Sequence, residues 1–368
     1  MHRSMQLSHI FTRDTAAALP AMAGSVLLGA LGGMLAGLIG APLPMLLGSL
    51  ITVAAMSIGG VRIMGRMPGV PVKTRIFFVP VIGVTIGGAF TPDILSEAAD
   101  WWPSLLALLV YIPLAHLGGA LIYHRLGGLS PVTAYYAAVP GGLIEVIAMG
   151  EEAGADARSL VILQFMRLIL CILLVPLGFM LFTGGAVGSA AGVAMTGADA
   201  PVGLLDAVIL LGAGALGAIG GRRLGFPAWV ITGPILVSGT AHLTGLTQAV
   251  PPGWLIGVTQ LVMGVSLGSR FAGLNARAFG HAAALALANI AMTLTLALIA
   301  AVALQGAVGE RIEAVILAFA PGGVAEMSLV AVSLQISVVY VTAHHVARIL
   351  LSVLVAKTFA GWIGTETR

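Results

Sequence analysis

Two segments place a glutamate three residues after a Pro-Gly-Gly triplet inside otherwise apolar sequence: "AVPGGLIEVIAMG" at 138–150 and "AFAPGGVAEMSLVA" at 318–331. Proline lacks an N–H and clashes with the preceding turn, so Pro140 and Pro321 must break or kink a helix there. Gly141, Gly142, Gly322 and Gly323 open backbone conformations closed to other residues. At membrane depth such a break is tolerated only where protein or a water-filled cavity pairs the freed backbone groups. A half-helix beginning at Gly141 or Gly322 then turns free N–H groups and a positive dipole end toward the break, a site suited to an anion. Glu145 and Glu326 fall in the first turn after each break. There a carboxyl group can bind a proton or help hold Na⁺, and ionisable groups at this depth are functional suspects. The plainer alternative is that each glutamate only complements the helix dipole.

Arg167 and Arg348 each follow their glutamate by 22 residues, on the next apolar segment. Gln164 lies one turn before Arg167 and His345 one turn before Arg348, so each pair shares a helix face. These four side chains are expected to line a cavity, pairing with the glutamates or holding an anionic substrate. The alternative is two arginines snorkelling to the interface. The dipeptide His344–His345 does not suggest chelation, because helix neighbours point about 100° apart. No metal and no cofactor is expected.

The elements that must position these residues are membrane helices. Of 368 residues 59% are apolar and only 8% charged, against roughly 25% charged in soluble domains. Apolar runs near the ~20 residues that cross a bilayer recur throughout. Expected spans cover 16–40, 43–60, 76–91, 101–123, 131–150 and 157–182, then 202–221, 228–243, 254–271, 280–304, 312–331 and 334–363. The Gly/Ala-rich stretch 183–201 reads as a linker between a first membrane repeat (1–182) and a second (202–368). The lone Cys171 excludes an internal disulfide, and no basic stripe or recognition helix offers DNA a surface.

The halves match in letters. "VIGVTIGGAF" at 81–90 aligns with "VMGVSLGSRF" at 262–271, and the same offset of 181 carries Pro140, Gly141, Gly142, Glu145 and Arg167 onto Pro321, Gly322, Gly323, Glu326 and Arg348. Charge orients them. Arg62, Arg66, Lys73 and Arg75 mark a cytoplasmic loop in the first half, whereas its counterpart 242–253 has no Lys or Arg. Arg222 and Arg223 stand where the first half has an uncharged turn, and Arg270 and Arg277 stand opposite the acidic loop 93–100. Each half therefore crosses an odd number of times and the second is upside down. Six segments must make about five crossings, so the PGG segments are broken or re-entrant. The predicted class is an all-α polytopic protein of two inverted repeats, an arrangement common in transporters.

Paired PGGxxE segments, each followed by a Gln/His-x-x-Arg helix, resemble the duplicated AbrB-type membrane protein family. Its members are also labelled ammonia monooxygenases or membrane regulators of gene expression. "GADARSLVILQFMR" (154–167) is similar to the family's first-half signature, while the second half has Ser337 in place of Asp156. Eight scattered histidines and one cysteine supply no evident ligand cluster for an oxygenase, so no enzyme is expected. The chain does not resemble the soluble DNA-binding protein of the same name. The expectation is a bacterial inner-membrane secondary transporter of a small anionic or zwitterionic metabolite, coupled to H⁺ or Na⁺. The rival is a membrane-embedded regulator or sensor acting through a partner. Expected partners are the small-molecule substrate, H⁺ or Na⁺ and the lipid bilayer, with no nucleic acid and a homodimer left open.

Overall fold

The computed structural model describes residues 13–183, 202–274 and 276–362, and no β-strand forms among them. The first half contributes α1 (Arg13–Leu38), α2 (Pro44–Ile58), α3 (Arg75–Gly87), the short α4 (Pro92–Glu97), α5 (Trp102–Arg125), α6 (Pro131–Ala138), α7 (Leu143–Glu152) and α8 (Ala157–Thr183). The second contributes α9 (Leu204–Arg223), α10 (Trp229–Leu243), α11 (Gly253–Gly268), α12 (Ala276–Ala303), α13 (Ile312–Phe319), α14 (Val324–Ser333) and α15 (Val338–Phe359). The linker expected at 183–201 lies, apart from Thr183, outside the described residues.

Among the described residues six helical stretches are long and apolar enough to cross a membrane: Ala18–Leu38, Pro92–Arg125, Ala157–Leu181, Leu204–Arg223, Arg277–Ala303 and Val338–Phe359. This is a multi-pass membrane protein. The long stretches occupy the same three places in each half. Four of the expected apolar runs form helices shorter than a bilayer core. α2, α3, α10 and α11 have 15, 13, 15 and 16 residues. At 1.5 Å per residue they reach roughly 20–24 Å, against a hydrocarbon core of ~30 Å. Helix-stopping residues explain the shortfall. Pro44 opens α2, Gly59 and Gly60 follow it, Gly88 ends α3 and Pro252 precedes α11.

The helices sort into two groups. α1–α3 pack with α9–α11, and α5–α8 pack with α12–α15. Within the first group glycines let backbones touch. A Cβ on Gly48 would collide with the Gly32 carbonyl oxygen, and one on Gly233 with that of Gly217. These are the α1–α2 and α9–α10 hairpins, at matching positions in both halves. Contacts then pass between the halves. A Cβ on Gly83 of α3 would lie 2.7 Å from the Ile231 carbonyl oxygen, and one on Gly268 of α11 2.7 Å from that of Leu50. So α3 lies on α10, and α11 on α2. Gly69, ahead of α3, abuts Ser269 beyond α11, whereas Gly88, after α3, abuts Val250 ahead of α11. Hence α3 and its counterpart α11 run in opposite directions.

In the second group the PGG segments fold back on themselves. α6 and α7 would place Thr133 and Asp156 far apart if they continued one rod. Instead the Asp156 N–H donates to Thr133 Oγ1 at 2.9 Å, and an added Cβ on Gly150 would lie 3.1 Å from Tyr136 Cβ. The α13–α14 pair closes likewise, because both helices pack against α15 and against each other. Burial pushes the Glu310 carboxyl above its ordinary range. Asp156 and Ser337, different in letters, do one job. Asp156 Oδ2 accepts from the Ser159 N–H at 3.0 Å and Ser337 Oγ from the Tyr340 N–H at 3.4 Å, each capping the helix that follows. The hydrogen bonds from Ser159 hold the Asp156 carboxyl below its usual value.

Candidate functional site

The tips of the two hairpins carry the residues singled out by sequence. α7 begins at Leu143 with Gly142 as its N-cap at φ 69°, and α14 at Val324 with Gly323 as its N-cap. Each half-helix therefore starts two residues later than Gly141 and Gly322, the positions expected. At Gly142 glycine is required twice over, by the left-handed φ and by the approach of Val353, 2.5 Å from an added Cβ. Pro140 and Pro321 are buried in the breaks.

Arg167 and Arg348 are buried at the tips and do not pair with the glutamates. Gln164 Nε2 donates to the carbonyls of Tyr136, Ala137 and Val139 at 3.0, 3.2 and 3.3 Å, and Arg167 Nη1 donates to Val139. In the second half His345 Nε2 meets the Leu317 carbonyl at 3.0 Å, and Arg348 donates from Nη1 to Ala320 and from Nη2 to Gly322 at 2.5 Å. All of these acceptors lie in the last turn of α6 or α13 or in the break beyond. The helix ends that collect partial negative charge thus receive a guanidinium each. This pairing answers why apolar sequence tolerates a break: the freed carbonyls are satisfied by one arginine and one amide or imidazole per tip.

His345 has a fixed tautomer. Arg348 Nη2 approaches His345 Nδ1 at 2.9 Å, and a guanidinium can only donate, so Nδ1 accepts and the ring proton sits on Nε2, facing Leu317. Both nitrogens are used by the neutral ring. His344 turns elsewhere, with Nδ1 2.8 Å from the Tyr340 carbonyl and Nε2 2.8 Å from Ser104 Oγ. Among the described residues no three His, Cys, Asp or Glu side chains gather as a metal site.

The glutamates differ. Glu145 is exposed, whereas Glu326 is 2% exposed and its Oε1 takes Arg75 Nη2 at 3.2 Å. Arg270, in the turn after α11, lies within electrostatic reach of Arg75, and its guanidinium stacks 4.6 Å from the Phe165 ring centroid. Arg75 and Arg270 come from one helix group, Glu326 and Phe165 from the other. Sequence reasoning used the two arginines only to set orientation. The available signal was asymmetry: Arg270 stands where the repeat has Ala89, and Arg75 opens an apolar helix instead of lying in its loop. Around the tips Gln164 Oε1, Arg167 Nε, Arg348 Nε and Ser352 Oγ are buried without a hydrogen-bond partner.

This duplicated, broken-helix arrangement can be set beside known proteins. The family described as "Transition state regulatory protein AbrB" matches residues 61–364, most of the chain. The chain belongs to the AbrB family. This AbrB-family chain is 28% identical over 304 residues to the uncharacterized protein YhjN of Bacillus subtilis (strain 168), covering 76% of each. A shorter stretch of 89 residues, 24% of this chain and 26% of the relative, is 29% identical to a candidate regulator, AbrB, of Escherichia coli (strain K12). No solved structure matches the AbrB-family chain significantly.

Proposed function

We propose that this chain is a secondary transporter of a small anionic or zwitterionic metabolite, coupled to H⁺ or Na⁺, in a bacterial inner membrane. The observation that carries the reading is the pair of helix hairpins with PGG tips, each buttressed by a buried arginine. Discontinuous helices at the interface of repeats are the recurrent way carriers offer polar backbone at membrane depth. Inverted repeats of five crossings are part of the proposal, supported by the opposed directions of α3 and α11 and the reversed charge pattern. The short helices α2, α3, α10 and α11 then count as crossings, joined by the loops at their ends. The chain is not proposed to be an enzyme or to bind nucleic acid. A homodimer is compatible with the reading.

Orientation is checked with single cysteines in a Cys171→Ala background, Cys171 being buried. Ile39, Met64, Ser96 and Leu224 are all exposed. An impermeant maleimide added outside is expected to label cysteine at 39 and 96 and to spare 64 and 224. Labelling at 224 would make the halves parallel and remove the inverted arrangement.

Transport is tested by uptake in proteoliposomes under imposed proton and sodium gradients. Glu326→Gln is expected to abolish the ion dependence, since the amide keeps the shape but cannot bind and release a proton. Glu145→Gln is expected to act more weakly, because Glu145 is exposed where Glu326 is buried. Unchanged ion dependence in the double variant would return both glutamates to the dipole-complementing role.

A regulator is the second reading, favoured by the family's description and by the name of the Escherichia coli relative. It predicts a partner that binds the chain and no substrate flux in any gradient.

A further inference from the structure

The cluster at Arg75 and Arg270 is unbalanced in charge. Two partly buried guanidiniums, one on α3 and one in the turn after α11, lie within electrostatic reach of each other, and Glu326 is the carboxylate paired with Arg75. Among the described residues Arg270 forms no ion pair. Its Cζ lies over the Phe165 ring, 4.6 Å from the centroid, and Phe165 is itself 8% exposed. A guanidinium held over a ring still has N–H groups to give, and its fork suits a two-oxygen acceptor. An arginine held this way is pre-organised, so it gives up little freedom when it binds. Arg75 stands nearby with one N–H spent on Glu326 Oε1. One unit of positive charge therefore lacks its counterpart.

We propose that Arg75 and Arg270 form a binding site for a small monocarboxylate, with Glu326 as its built-in competitor. The ligand's two oxygens take the Arg270 fork, and its charge competes for Arg75 and releases Glu326. The exchange leaves Arg75 paired and frees a carboxylate in the first turn of α14, and with Glu326 still beside the tip the four groups sum to zero charge. Glu326 side-chain atoms crowd Gly323, so a released Glu326 also uncovers the hairpin tip. Because the arginines belong to one helix group and Phe165 and Glu326 to the other, the ligand joins the two groups where they meet. A monocarboxylate offers two oxygens to the fork with the single charge that is missing, whereas inorganic phosphate offers the same bidentate contact but carries between one and two charges near neutral pH. The inference rests on the reading that the chain takes a small anion, and it holds whether the anion is carried or sensed.

The test is the thermal unfolding midpoint of the full chain in detergent, titrated with acetate, benzoate, inorganic phosphate and chloride at constant ionic strength. Anything that binds the folded state alone raises the midpoint. Acetate and benzoate are expected to raise it and chloride to leave it unchanged. Arg270→Gln should weaken the apparent Kd about tenfold or more, and Arg270→Lys should share much of that loss because it lacks the fork. Glu326→Gln should tighten binding several-fold by removing the competitor. Each variant is compared with its own ligand-free midpoint, which separates lost binding from lost folding. Protection by phosphate without protection by carboxylates overturns the proposal, as does an unchanged affinity in Glu326→Gln or a wild-type chain indifferent to all four probes. Binding that behaves as expected without uptake in proteoliposomes would leave this site standing and remove the transporter reading.

Discussion

Replacing Arg348 by Met is expected to leave little folded protein. Arg348 is 1% exposed, and its guanidinium is spent on the carbonyls of Ala320 and Gly322 and on the ring of His345. The methionine fills much of the space but leaves two buried carbonyls and one imidazole nitrogen without donors. A buried polar group left unpaired costs about 1–3 kcal/mol, and breaking a buried charged network roughly 3–5 kcal/mol. Against a typical total stability of about 5–15 kcal/mol that is a large share. Arg348→Lys keeps the charge but cannot span two carbonyls and a ring with one point donor, so it should recover only part. Arg167→Met should be milder, because Gln164 holds three carbonyls of that tip independently. Size-exclusion profile and thermal midpoint in detergent read all three. If Arg348→Met purifies with the wild-type midpoint, water satisfies the second tip and the arginine is not its support.

Gly233→Leu is expected to have the second-largest effect, by a different route. Any Cβ at 233 collides with the Gly217 carbonyl oxygen, a backbone atom that can move only if α9 moves. Overpacking a core costs about 1–3 kcal/mol when side chains can yield, and this contact has none to yield. Gly48→Leu should behave alike in the first half, where the obstacle is the Gly32 carbonyl. Gly220→Ala is the internal control: on α9, with nothing within 4 Å of an added Cβ, it should be neutral or stabilising by up to ~1 kcal/mol. The contrast between 233 and 220, measured as midpoint shifts, separates helix contact from glycine content. Equal midpoints at both positions would mean the α9–α10 contact is looser than described here.

Helical class and the two breaks were legible in the letters, because bilayer burial and a Pro-Gly-Gly triplet leave few backbone options. Side-chain assignments were only half legible. The shared face of Gln164 with Arg167 and of His345 with Arg348 was correct, but their targets are backbone carbonyls one segment earlier. That choice depends on where α6 and α13 end, which no spacing rule specifies to the residue. Glu145 and Glu326 occupy equivalent positions in the repeat, yet one is exposed and the other buried against Arg75. Burial is conferred by whichever helix lies over the tip, and the two halves differ there. Helix bounds were legible to a few residues, 228–243 against α10 and 254–271 against α11 with its following turn, while the run at 76–91 was read past Gly88, which ends α3.

The exchange of neighbours between halves has a consequence for how the chain is made. α3 leaves the ribosome with Gly83 uncovered, and its cover, the Ile231–Pro234 stretch of α10, is synthesised most of a half later. α2 waits longer still, because Gly264 and Gly268 of α11 close over it. Each half pairs its own first two helices, but α2 and α3 wait for α11 and α10 of the other half, so insertion into the bilayer and closure of the packed structure are separate events in time. The nascent first half must be sheltered by lipid or by the insertion machinery until the second arrives. Expressed from two genes, the halves should be stable only together.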